Sequence, residues 1–182
     1  MKHVGILAHS FEGATLCFHT ACMEGLAKLG AHMHPEITMT CSPMALVLDA
    51  WERGDNEELR GFFMNDARKL AAAGADFFVL PDNTAHIAME AAGEPFPIPG
   101  LNIGEVVAEQ AAKDGRGKVG ILGTKYTMNG PVYPGALAVA ELRGPFRRRR
   151  IRRRSTTSSS TNSALAFSPT RHAMPMCALS RS

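Results

Sequence analysis

The chain alternates short, continuously apolar runs with longer stretches whose apolar residues return every three or four positions. HVGILA (His3–Ala8) is a short apolar run that fits a buried parallel strand. HSFEG follows as a loop, and from Ala14 to Leu29 the spacing predicts a helix that Gly30 can stop. EITMTCS (Glu36–Ser42) predicts a second strand. GDNEELRGFFMNDARKLAAAG predicts the clearest helix. Asp55 or Asn56 can cap it, Leu59, Phe62, Phe63, Ala67 and Leu70 share one face, and Gly74 ends it. ADFFVLP shows no polar alternation, so it predicts a third strand buried on both faces. A short helix from about Thr84 to Ala92, a fourth strand in PGLNIG and a helix over Glu105–Lys113 follow. KVGILGT predicts a fifth strand, and YTMNGPVYPGALAVAEL a helix interrupted by Pro131 and Pro134.

This alternation predicts an α/β fold, an open parallel sheet flanked by helices. Such sheets bind ligands beyond the carboxyl ends of their strands. Three polar loops stand there: AHSFEG after the first strand, PDNTAH after the third and GTKYT after the fifth. VGIL occurs at Val4–Leu7 and again at Val119–Leu122, 115 residues later. Read as a duplication, it predicts a complete first domain over residues 1–116 and the start of a second, similar domain over 117–142.

Hydrophobic residues at 45% and charged residues at 20% describe an ordinary globular chain of 182 residues. No apolar run reaches the ~20 residues of a membrane helix. The N-terminus reads as a first strand and not a signal peptide, which favours the cytoplasm. Cys17, Cys22, Cys41 and Cys177 form no zinc spacing; in a reducing compartment they stay free, with Cys17 and Cys22 packed inside a helix. His32 and His34 read as loop residues, and no metal site is expected.

The net charge of +3 hides two kinds of sequence. Residues 1–142 hold ten Lys/Arg and all 17 Asp/Glu, a balance of −7, whereas 143–182 hold ten Arg and no acid. This Arg/Ser-rich tail has neither helical nor strand period. A basic arm can bind nucleic acid by counterion release, but the Arg cluster has one aromatic neighbour, Phe146, and no stacking series. A solvated arm without a specific role is a second reading. The reading we favour is loss of the native frame near Leu142, which makes the tail non-native sequence.

The loops carry the candidate chemistry. In PDNTAH, Pro81 ends the strand, and Asp82, Asn83 or Thr84 can cap the next helix. The same geometry suits a site. Free N–H groups with Asn83 and Thr84 can hold a carboxylate, with Asp82 beside the reacting carbon as a base. Thr124 and Thr127 offer hydroxyls in the third loop, and Lys125 is a solvated charge. Ser10 suits an anion donor or a cap; His9 suits a base, a donor or a satisfied loop histidine. No Gly-rich nucleotide fingerprint is present.

GILAHSFEGATLCF, LAAAGADFFVLPDNTAH and VGILGTKYTMNGPVYPGAL together resemble the aspartate/glutamate/hydantoin racemase superfamily, with the closest likeness to its aspartate racemase branch. The resemblance covers roughly residues 2–140. It implies two similar α/β domains with a site in the cleft between them, a homodimer, and no pyridoxal phosphate or metal. It implies two cysteines facing each other across the α-carbon of a small-molecule carboxylate or amino-acid substrate. Ser10, Asn83, Thr84, Thr124 and Thr127 match substrate-holding positions. The first cysteine falls on Asp82, and the Gly-Cys-Thr context of the second is missing.

A carboxylate with a reference pKa of ~3.9, against ~8.5 for a thiol, is a weak base unless burial raises it. It also repels a substrate carboxylate. The expectation is an impaired racemase-type protein with Asp82 as its catalytic residue. The alternatives are a carboxylate-binding relic, a related decarboxylase or isomerase that needs one acid or base, and a basic-tail nucleic-acid binder.

Overall fold

The computed structural model describes residues 1–140. Glu141, Leu142 and the predicted tail of 143–182 lie outside the described residues. The described elements are β1 (His3–Ala8), α1 (Phe11–Leu29), β2 (Glu36–Cys41), a 3₁₀ turn (Met44–Val47), α2 (Leu48–Arg53), α3 (Asn56–Ala72), β3 (Phe77–Val79), α4 (His86–Met89), β4 (Gly100–Leu101), α5 (Ile103–Lys113), α6 (Lys125–Asn129) and α7 (Val132–Val139).

The four strands form one parallel sheet in the order β2-β1-β3-β4. The open α/β sheet flanked by helices is therefore the fold. The chain leaves β1 for β2 on one side and then crosses back to β3 on the other. The gap between the ends of β1 and β3 is thus a topological switch point, where open α/β sheets bind ligands.

Strand alternation divides the core. Leu7, Phe78 and Leu80 pack against Leu59, Phe63, Ala67 and Leu70 of α3, with Ala85 and Ala88 closing the end. Ile6 and Ala8 face the other way, onto Ala14 and Cys17 of α1. The predicted face of α3 is the buried face: Leu59, Phe63, Ala67 and Leu70 are fully buried and Phe62 is partly so. Asp55 is its cap, with its side chain accepting the N–H of Glu58 at 3.0 Å. α5 starts earlier than the periodicity suggests, because Asn102 accepts the N–H groups of Gly104 (2.8 Å) and Glu105 (3.4 Å).

Three expectations change. The fifth strand does not form among the described residues: 118–122 is irregular and Leu122 is 93% exposed. Val119 and Ile121 instead pack beside Val132, Tyr133 and Leu137. The first VGIL has a strand on each side, whereas the second has none to pair with, and a lone strand leaves its backbone groups unsatisfied. The helix after Thr84 is shorter than predicted, ending at Met89 before a Gly-Pro-rich stretch. The last helix breaks once, at Gly130–Pro131; Pro134 lies in the first turn of α7, where its missing N–H would be unpaired anyway.

Among the described residues no helix is long and apolar enough to cross a membrane. No group of three or more His, Cys, Asp or Glu residues among them is placed to hold a metal ion.

Candidate functional site

Ser10 opens α1 directly after β1, and its side chain makes no cap bond to the helix. Its hydroxyl lies near a tight approach. A Cβ on Gly13 would stand 2.3 Å from the Pro81 carbonyl and 3.3 Å from Ser10 Oγ. Only glycine lets the first turn of α1 press this close to the loop after β3.

That loop turns sharply, with Asp82 N–H donating to the Leu80 carbonyl at 2.8 Å. Asp82 Oδ1 then accepts the N–H groups of Thr84 (3.0 Å) and Ala85 (3.2 Å). Asp82 thus closes the turn that leads into α4, although the helix itself has no side-chain cap bond. The N–H groups expected to hold a ligand carboxylate are already satisfied by Asp82, because its short side chain reaches back over the turn. Below it, the fully buried His86 donates from Nε2 to the Leu80 carbonyl at 3.0 Å. Burial holds the His86 imidazole below its ordinary pKa, against opposing effects of that carbonyl, Glu90 and Asp82.

The third loop reaches the same place. Thr124 caps α6, its Oγ1 accepting the N–H of Thr127 at 3.3 Å. Thr127 Oγ1 lies 3.3 Å from Thr124 Oγ1 and 3.5 Å from Thr84 Oγ1. Tyr133, on α7, donates its hydroxyl to Asn83 Oδ1. With that oxygen engaged, the Asn83 amide keeps its N–H groups as donors. Burial pushes the Tyr133 hydroxyl above its ordinary pKa, which keeps it a donor.

His9 follows directly on β1 and precedes Ser10. His9 is 5% exposed and packs its ring on Trp51 and edge-on to Phe63. Trp51 Nε1–H donates to His9 Nε2 at 2.9 Å. Burial lowers the His9 pKa and the nearby Asp82 charge partly opposes this.

Ser10, Asp82, Asn83, Thr84, Thr124 and Thr127 therefore share one region at the carboxyl ends of β1 and β3. The cysteines do not line up with it as a pair. Cys17 packs under α1, its thiol pKa raised by burial; Cys22 lies further along α1, Cys41 is exposed at the end of β2, and Cys177 lies outside the described residues. Trp51 and Tyr133 went unnoticed in the sequence. Each acts through a single polar atom brought in from a distant element, and no local pattern marks that.

Known proteins share this sequence and fold. The chain is 32% identical over 79 residues to the broad specificity amino-acid racemase RacX of Bacillus subtilis (strain 168), covering 43% of this chain and 34% of that protein. The fold is similar to the crystal structure of a candidate Asp/Glu racemase from Yersinia pestis, at 29% identity and a TM-score of 0.68, over 76% of this chain and 60% of that one. It is also similar to an aspartate racemase homologue from Pyrococcus horikoshii OT3, at 26% identity and a TM-score of 0.65, over 79% of this chain and 63% of that one. The chain thus spans about a third of the length of RacX and just over three fifths of the two solved relatives. The family model for Asp/Glu/Hydantoin racemase matches residues 12–168, most of the sequence, and the chain belongs to that family.

Proposed function

We propose that the chain is a racemase-type protein acting at the α-carbon of an acidic amino acid such as aspartate or glutamate, without pyridoxal phosphate or metal. One observation carries this reading: Asn83 and Thr84, which follow Asp82, are joined to the 124–133 segment through Tyr133 and Thr127, at the switch point of the sheet. In this reading Ser10, Asn83, Thr84, Thr124 and Thr127 hold the substrate carboxylate. Asp82 is the base, with its Oδ2 facing the α-proton while Oδ1 stays bound to the N–H groups of Thr84 and Ala85.

Inversion needs proton exchange on two opposite faces. Asp82 serves one face, and the described residues offer no thiol paired with it on the other. Turnover by this chain is therefore low or absent. A homodimer and a cytoplasmic location belong to the same reading; the exposed apolar residues of α1, among them Phe11, Leu16 and Met23, support the first. No nucleic-acid role is assigned.

The test is binding of L- and D-aspartate by calorimetry, together with α-proton exchange in D₂O. Binding with slow exchange and no racemisation is expected. A chain that binds neither enantiomer overturns the reading, and rapid racemisation overturns the impairment. The engagement of Asp82 Oδ1 as a cap favours a second reading, a carboxylate binder without catalysis. Binding with no exchange at all selects it.

A further inference from the structure

We infer that His9 is held as a neutral imidazole with its proton on Nδ1, and that this N–H donates to the carboxylate of the ligand bound beside Asp82. The inference rests on the reading of the site given above and adds a binding residue to it, with Trp51 as the group that sets its proton.

The argument starts from the indole. A tryptophan Nε1–H can only donate. It stands 2.9 Å from His9 Nε2, so that nitrogen must carry its lone pair and not a proton. A neutral imidazole then has its hydrogen on Nδ1. Protonating Nε2 as well would set two donors against each other in a buried pocket. Rotation is blocked too: the ring is 5% exposed, with the Trp51 ring 5.5 Å away and the Phe63 ring 5.2 Å away, centroid to centroid. The direction of the N–H is therefore fixed before any ligand arrives.

The second observation is what Nδ1 lacks. It is buried and has no hydrogen-bond partner. Buried donors are nearly always paired, so an orphan beside a candidate site points to a partner that arrives with the ligand. Its position supplies the chemistry of that partner. His9 lies between the end of β1 and Ser10, and the Asp82 charge acts on its imidazole. Asp82 commits Oδ1 to the N–H groups of Thr84 and Ala85, and the His9 Nδ1 finds no oxygen among the described residues. An anionic oxygen fits, and a neutral donor placed there offsets part of the repulsion between Asp82 and a bound carboxylate.

The experiment uses the full chain. In ¹⁵N–¹H spectra of the histidine rings at pH 7.5, His9 is expected as the Nδ1–H tautomer, and Trp51→Phe, which keeps a ring but removes the N–H, is expected to mix the two tautomers. In calorimetric titrations with L-aspartate, His9→Phe is expected to weaken binding at least about tenfold. His9→Asn, whose amide nitrogen can replace Nδ1, is expected to recover binding to within roughly threefold. A proton on Nε2, or a folded His9→Phe chain with wild-type affinity, overturns the inference and leaves the racemase reading standing. If His9→Phe does not fold, Trp51→Phe decides: mixed tautomers with unchanged affinity overturn the inference. A wild-type chain that binds no aspartate overturns the site reading and the donor role together, whatever the tautomer.

Discussion

Thr84 Oγ1 and Thr127 Oγ1 stand 3.5 Å apart, joining the loop after β3 to α6, 43 residues further along the chain. Thr127 is itself held by Thr124, its backbone N–H donating to Thr124 Oγ1. The three hydroxyls thus form one short chain of donors and acceptors. Thr127→Val keeps the shape and removes the central hydroxyl. Aspartate affinity is expected to fall several-fold, with stability lowered by about 1 kcal/mol. Calorimetry and urea denaturation measure the two effects.

Substitution can separate the hydrogen bonds that Asp82 makes to the Thr84 and Ala85 N–H groups from the base role proposed for it. Asn caps a helix about as well as Asp, whereas Ala does not. Asp82→Asn is expected to keep stability within a few tenths of a kcal/mol and to abolish any α-proton exchange. Asp82→Ala is expected to lose about 1 kcal/mol as well. Equal exchange in Asp82→Asn and the native chain would remove the carboxylate from the chemistry.

Gly13 is where α1 meets the loop after β3. A Cβ there stands 2.3 Å from the Pro81 carbonyl, which is backbone and cannot swing aside. Gly13→Ala is expected to destabilise the fold by about 1–3 kcal/mol, as overpacking does. Gly61 is the control, because a Cβ there meets nothing within 4 Å. Gly61→Ala, inside α3, is expected to stabilise by up to about 1 kcal/mol. Thermal melts of the two variants should move in opposite directions.

Arg60 ties the segment after α4 to α3. Its guanidinium donates to the carbonyls of Met89 and Glu94 and lies 4.4 Å from the Phe96 ring centroid. Arg60→Met keeps an apolar stem and leaves both carbonyls without these donors. A loss of about 2 kcal/mol and faster proteolysis within residues 90–99 are expected.

Acid should weaken the fold through His9 and His86. Burial sets both below the ordinary value of 6.5, so they stay neutral in the folded chain. Above that value neither state binds the proton, and the stability is fully present. As pH falls through it, the unfolded chain takes up protons that the folded chain resists, and stability drops until the folded pKa values are passed. Melting temperature is expected to fall as pH drops below about 6.5. The fall should be smaller in His86→Gln, whose amide can still donate toward the Leu80 carbonyl.

The sequence by itself determined the strand–helix alternation, the buried face of α3, the cap at Asp55 and the grouping of polar residues at strand ends. These are local matters: periodicity, capping and strand-end position are written in neighbouring residues. Only the tertiary structure decided that KVGILGT does not become a strand, because a strand exists through its partners and not through its own composition. Only it placed the Asp82 carboxylate over the N–H groups of Thr84 and Ala85, Trp51 against the His9 ring, and Tyr133 on Asn83. Each of these is a contact between single polar atoms 42 to 50 residues apart, or a turn folding back on itself. Such contacts follow from how α2 and α7 dock, which no window of sequence contains.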